Sequence, residues 1–359
     1  MNCFWTFWNR RDEMNPLEQE LHQRNLPELM RQNSKEPVET PAQWERRRQE
    51  IGEILSREFA GFPTRLACRS QKEVVRIDRD SYGGKAETQY CELKIRSDFS
   101  SASVPFTLTL PKGSSPAPIF FYLAFTPEIA DGIGEEVIDH GYAIANVCYQ
   151  DIAADYFDGH MTGLGRFCTR NPYDIADVLL DDPGIDQKKT AVMGHSRLGK
   201  AALLAGAFDT RFGLTVSCQS GAGGAALLRG KTGEQIENLY GKGSRLWFAG
   251  NFFQYREDLE KLPFDSHFLL AMMAGRHLYV TSASRDDWAD PRSEFLGCLA
   301  ASPAFECMGS MGLEQKGRYL QPGEFSHKGD IGYFLREGTH YLSRDDWKHV
   351  FAYRKQHQI

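Results

Sequence analysis

A chain of 359 residues, 41% hydrophobic and 25% charged, has the balance of an ordinary globular protein and enough material for one large domain or two small ones. Disordered chains, collagen-like repeats and disulfide-stapled miniproteins are excluded at this step. With 42 Lys and Arg against 48 Asp and Glu the formal charge is −6, so no global positive field exists to hold nucleic acid or an anionic membrane.

The eight cysteines, Cys3, Cys68, Cys91, Cys148, Cys168, Cys218, Cys298 and Cys307, include no C-x-x-C pair, so zinc-ribbon and thioredoxin-like spacings are missing. They read as thiols in a reducing compartment. The apolar patch Phe4–Trp8 is followed at once by Asn9-Arg10-Arg11-Asp12-Glu13, which inverts the charge order of a secretory signal. No run reaches the roughly 18 apolar residues of a membrane span. The expectation is a cytoplasmic protein without a metal or other cofactor.

In chain order, Asn15 to about Ala60 is rich in Glu, Gln, Arg and Leu. Thr40-Pro41-Ala42-Gln43 has the form of an N-cap, a first-position proline and a capping-box glutamine, predicting a helix from Pro41 to about Glu58. Trp44, Ile51, Ile54, Leu55 and Phe59 form its apolar stripe, so it should pack on a larger body. Tyr90–Arg96 and Val104–Leu110 alternate apolar and polar side chains, as half-exposed antiparallel strands do, with a turn over Ser97–Ser101. Beyond Pro111 the strands become solid apolar runs, Ile119–Leu123 and Tyr142–Val147, as expected when both faces are covered. Thr190–Gly194, Phe212–Val216 and Arg276–Thr281 continue that pattern, and an amphipathic tail spans Asp345 to Tyr353. Antiparallel strands feeding a parallel, helix-covered sheet predict an α/β class chain with an α/β-hydrolase fold. The expected division is an N-terminal helical extension over 1–60 and a catalytic domain over 61–359.

The stretch Thr190–Ala207 runs from an apolar strand through Gly194-His195-Ser196 into a helix of small residues. That strand–turn–helix setting thrusts a serine out on a strained elbow, with the next backbone N–H placed for an oxyanion. The second glycine, Gly199, falls one position later than in G-x-S-x-G, with Leu198 in the usual slot. A serine that merely caps a helix is the alternative. Such a hydrolase needs an acid and then a histidine downstream. Asp286, Asp287 and Asp290 follow the late strand, with Asp286 the first choice and capping the competing role for each. His340 follows the last predicted strand, whereas His327 precedes Ile331–Leu335, so topology favours His340. No H-E-x-x-H or comparable spacing supports a catalytic metal.

Gly194-His195-Ser196-Arg197-Leu198-Gly199-Lys200 resembles the G-C-S-R-x-G-K signature of the glucuronoyl esterases, carbohydrate esterase family 15, whose bacterial members often carry His for Cys. Further matches are Ser220–Ala226, Trp247-Phe248 with Asn251-Phe252, Leu262–His267, Asp286–Pro291 and Gly338-Thr339-His340. They run in family order from about Thr40 onward. The resemblance implies Ser196 as nucleophile and His340 as general base, Arg197 beside the oxyanion, and Lys200 and Trp288 toward the sugar. Two cations in a first helical turn, where positive charge is disfavoured, suggest a pocket.

Two positions depart from the family. Its usual catalytic glutamate is replaced by Gln219, so Asp286 should take that role, as the resemblance to bacterial members with a late aspartate implies. The family's sugar-contacting Gln and Glu are not recognisable between Gly230 and Leu246; Glu234 and Gln235 are nearby but out of register. The expected function is a serine carboxylic-ester hydrolase acting on carbohydrate esters, foremost glucuronate esters of xylan or its lignin conjugates. Deacetylation of xylan-type sugars uses the same triad and is the alternative. A catalytically silent carbohydrate-binding protein is the alternative of another class.

Overall fold

The computed structural model describes residues 15–62, 69–96, 98, 101–113, 115–129, 132–155, 175–241, 246–314 and 316–359. Cys3, Cys68 and Cys168, the apolar patch Phe4–Trp8 and most of the turn expected over Ser97–Ser101 lie outside them. Among the described residues no helix is long and apolar enough to cross a membrane.

Two helices open the described chain, α1 (Pro16–Gln23) and α2 (Pro41–Leu55). Both start on a capping box and a first-turn proline: Asn15 with Glu18, and Thr40 with Gln43, which together satisfy backbone donors left over at a helix start. The helix expected to reach Glu58 ends at Leu55, and one π-helical turn, Ser56–Ala60, completes the segment. Leu17, Leu21, Trp44, Ile51, Leu55 and Phe59 enter the same apolar core as residues of the main body. The segment is thus one wall of that core.

Among the described residues the sheet has ten strands. An antiparallel ribbon comes first: β1 (Arg69–Asp80), β2 (Ala86–Arg96) and β3 (Ser101–Pro111). Next come β4 (Ala117–Ala124), α3 (Ile133–Asp139), β5 (Ala143–Cys148) and α4 (Ile175–Leu179). They are followed by β6 (Ile185–His195), α5 (Arg197–Phe208), β7 (Leu214–Cys218), α6 (Ser266–Ala271) and β8 (His277–Ala283). The chain closes with α7 (Pro291–Cys307), β9 (Phe325–Ser326), β10 (Ile331–Arg336) and α8 (Arg344–His357). The spatial order is β1-β2-β3-β5-β4-β6-β7-β8-β10-β9. The run from β5 to β10 is parallel, and β9 is antiparallel to β10.

The solid apolar runs follow from this topology. Phe120, Ile144, Ala191, Met193 and Tyr279 face the core under α8, while their neighbours Ile119, Phe121, Ala143, Ala145 and Val192 face a second core. Leu278 and Val280 face the third, beneath α2, α6 and α7. Neighbours on a strand point to opposite faces, so a strand covered on both sides needs apolar residues at every position. The resulting mostly parallel sheet with helices on both faces is the α/β-hydrolase architecture. β1, largely charged and exposed, carries no such signal in its sequence.

Trp44 is fully buried while Arg46, two residues on, is exposed. Trp44→Ala is expected to cost about 3–5 kcal/mol in urea unfolding, whereas Arg46→Ala should leave the midpoint unchanged.

Candidate active site

β6 delivers Ser196 at a sharp turn into α5. Its φ of 58° and ψ of −127° lie where side chains rarely sit, and two glycines permit the turn. A Cβ on Gly194 would stand 2.1 Å from the Leu198 carbonyl oxygen, and one on Gly199 would stand 3.1 Å from Ser217 Oγ and Ser220 Cβ. The late second glycine therefore answers to the packing of α5 on β7. Ser196 makes no side-chain cap to α5, so the capping alternative fails. Its Oγ lies 2.9 Å from His340 Nε2.

His340 Nδ1 lies 2.6 Å from Asp286 Oδ2. A carboxylate only accepts, so Nδ1 carries the hydrogen and Nε2 offers its lone pair to the serine hydroxyl. Asp286 is buried and takes a second bond, from the Ala289 N–H at 3.2 Å. The other two aspartates are placed differently. Asp290 is the N-cap of α7, accepting from Ser293 N and Oγ and from Thr232 N. Asp287 is exposed. His327 stands near the amino end of β10, where its Nε2 lies 2.7 Å from the Tyr279 hydroxyl.

The loop bearing Asp286 and the loop bearing His340 are zipped together. Ser284 N donates to Arg336 O and Arg285 N to Gly338 O, each at 2.8 Å, and Gly338 N reaches Ser284 Oγ at 3.3 Å. Behind them lies a buried pair absent from the expectations above, Arg336 with Asp346. Arg336 Nε donates to Asp346 Oδ2 at 3.0 Å, and its other nitrogens grip the carbonyls of Glu337, Thr339 and Tyr341 at 3.0, 2.7 and 2.7 Å. Those carbonyls bracket His340, which makes Arg336 a positioning residue. Asp346 also accepts from Ser343 N at 2.8 Å, tying the loop to the start of α8.

Gln219 sits at φ 44° and gives its amide to Thr281 Oγ1 at 2.8 Å and Thr281 O at 3.2 Å, with Asp346 Oδ1 at 3.4 Å. Its side chain braces the strand ends. The His195 ring stands 4.8 Å from that of His340. Burial, reinforced by His340, pushes the His195 imidazole down to about 3, so it is a neutral wall at neutral pH. Glu294, fully buried, accepts from Gly221 N at 3.0 Å and from Ser282 Oγ. Burial lifts its carboxyl to about 7, and it anchors the glycine-rich loop from below.

The two cations expected to make a basic pocket each have a carboxylate partner. Arg197 is ion-paired with Asp155, which also accepts from Trp247 Nε1 at 2.9 Å, and the guanidinium stacks 4.9 Å from the Trp247 ring. Lys200 is buried, with Nζ 2.7 Å from Glu234 Oε2 and 2.6 Å from the Ala222 carbonyl. Burial lowers its ammonium, and Glu234 opposes that shift. Each cation thus has a carboxylate, as a charge removed from water requires. Glu234, out of register in the sequence, is brought to Lys200, and its N–H donates to Trp288 O at 2.8 Å. Trp288 itself is half exposed, at 53%.

A serine, an aspartate and a histidine in that chain order, carried by loops at the carboxyl ends of parallel strands, define a serine hydrolase of the α/β-hydrolase class. Residues 173–309 match the family model for fungal glucuronyl esterases. Carbohydrate esterase MZ0003, from an unknown prokaryotic organism, is 36% identical over 62% of this chain. The match covers 55% of MZ0003, so the chain spans about half the length of that relative. The 4-O-methyl-glucuronoyl methylesterase 1 of Wolfiporia cocos is 28% identical over 81% of this chain and 73% of its own. Among solved structures, the glucuronoyl esterase from Solibacter usitatus superposes with a TM-score of 0.81 at 30% identity, covering 92% of this chain and 97% of that one. A promiscuous CE15 esterase from the marine bacterial metagenome reaches the same TM-score at 28% identity, covering 92% and 96%. The chain belongs to carbohydrate esterase family 15, the glucuronoyl esterases.

Arg336→Lys keeps a positive charge beside Asp346 and loses the three-carbonyl grip. It is expected to lower kcat about 100-fold with KM little changed and the urea midpoint near wild type, read from steady-state kinetics beside an unfolding curve.

Proposed function

We propose that this protein hydrolyses carbohydrate carboxylic esters through an acyl-enzyme, with glucuronate esters of xylan or its lignin conjugates as the substrate class. The observation that carries the reading is the unbroken relay from Ser196 Oγ through His340 to Asp286, at 2.9 and 2.6 Å. In it, Ser196 attacks the ester carbonyl while His340 Nε2 takes the hydroxyl proton, and Asp286 stabilises the imidazolium. The oxyanion is met by the Arg197 main-chain N–H, a first-turn donor without an acceptor inside α5, with the Arg197 side chain beside it. His340 returns its proton to the leaving alcohol, and water then cleaves the acyl-enzyme by the same route. Lys200, with Glu234, and Trp288 line the sugar side.

The names of the relatives support the uronate ester, since several are 4-O-methyl-glucuronoyl methylesterases. Deacetylation of xylan-type sugars is the second reading, favoured by the likeness to a CE15 esterase described as promiscuous. A reducing, cytoplasmic site of action is part of the proposal, supported by the free thiols of Cys91, Cys148, Cys218, Cys298 and Cys307.

Asp286→Asn is expected to lower kcat/KM by about 10³–10⁴-fold, while Asp287→Asn stays near wild type; equal losses would refute the assignment of the acid. Fluorophosphonate should label Ser196, and a chain that takes no label is catalytically silent. Methyl glucuronate should turn over faster than acetylated xylose, the reverse order favouring the deacetylase.

A further inference from the structure

Three histidines gather at the amino ends of β8 and β10, the opposite ends of the strands that lead into Asp286 and His340. His277 opens β8, His327 precedes β10, and His357 lies in the last turn of α8. The His277 and His357 rings stand 4.8 Å apart, and His357 Nε2 bonds the His327 carbonyl at 2.6 Å. His327 is already engaged by the Tyr279 hydroxyl. His277 and His357 converge instead on Asp330, the residue before β10.

One ligand atom from each of His277, Asp330 and His357 lies within 4.8 Å of the other two. His277 Nδ1 is 3.6 Å from Asp330 Oδ1, which is too long for a hydrogen bond. It is close to the edge of about 3.3 Å in a tetrahedron with bonds of about 2.0–2.1 Å to its centre. His357 donates from Nε2 to a backbone carbonyl, leaving Nδ1 a bare lone pair, which is how metal-ligating imidazoles are oriented. The Tyr353 hydroxyl, 3.1 Å from His277 Nδ1, has a second partner in the Gly329 carbonyl at 3.0 Å. The hydroxyl's one hydrogen goes to that carbonyl, so it accepts from His277 Nδ1. Metal binding at Nδ1 moves that hydrogen to Nε2, and Tyr353 keeps its bond to Gly329. Closing a gap of up to about 1.5 Å turns the half-buried His357 ring and lengthens its bond to the His327 carbonyl.

We propose that His277, Asp330 and His357 bind a divalent cation of the zinc class, with water in the fourth position. Two imidazoles and one carboxylate suit zinc, whereas calcium and magnesium prefer all-oxygen sets. The ion would clip α8 to the amino ends of β8 and β10. Its part is structural and independent of the ester chemistry at the far ends of those strands.

The test uses the untagged full chain, stripped with chelator, passed through gel filtration and dialysed against zinc or cobalt. One zinc per chain by mass spectrometry, visible absorption typical of tetrahedral cobalt and a zinc-dependent rise in Tm are expected. Asp330→Asn and His357→Ala should each weaken zinc binding by at least about tenfold and abolish the rise, with the stripped variants retaining wild-type circular dichroism and esterase rates. His357→Gln serves the same purpose if either of the others fails to fold. Substoichiometric zinc in the wild-type chain, or zinc binding unchanged by these substitutions, would overturn the proposal.

Discussion

At Ser196 the backbone leaves β6 in a conformation that costs on the order of 1–3 kcal/mol, and the rest of the site is arranged around keeping it there. The strain is held from both sides. Ser196 N donates to Cys218 O at 2.8 Å, locking the turn to the end of β7, and α5 packs down through Gly199 against Ser217 and Ser220. With the serine thrust clear of the sheet, only a histidine arriving over the end of β10 meets it. An acid from the end of β8, the strand beside β10, meets the far side of that histidine. The parallel order β6-β7-β8-β10 is what turns three loops far apart in the chain into one relay.

The same dependence explains the buried chemistry behind the relay. His340 rides on a loop, and a loop alone would not hold an imidazole to a few tenths of an ångström. Arg336 replaces the missing regular structure by binding the carbonyls of Glu337, Thr339 and Tyr341, with Asp346 offsetting the cost of burying its charge. A buried ion pair is weak evidence for stability. Here it shapes a segment that has neither helical nor strand hydrogen bonds of its own.

Much of this was legible in the sequence, for physical reasons. Strands covered on both faces read as unbroken apolar runs, and the elbow declares itself by small residues on either side of Ser196. Order along the chain separated His340 from His327. What the sequence did not convey is pairing at a distance. Asp155 and Glu234 lie 42 and 34 positions from the cations they neutralise, and neither sits in a periodic pattern that spacing could expose. Three aspartates within five residues were likewise equivalent on paper. The fold separates them by giving one to the imidazole, one to a helix start and one to solvent. Gln219 was visible as a departure, but its present use, bracing Thr281, depends on a neighbouring strand.

For the proposed ester hydrolysis, the pairing of Arg197 with Asp155 and of Lys200 with Glu234 bears on how the product leaves. Hydrolysis of an uncharged ester leaves an acid that ionises at neutral pH. A pocket with two unpaired cations would hold that anion more tightly than the ester it came from, and each turnover would end in a trap. With both cations already matched by carboxylates, the newly formed charge gains little Coulombic attraction by staying. Water, which solvates it better, draws it out and clears the serine for the next ester.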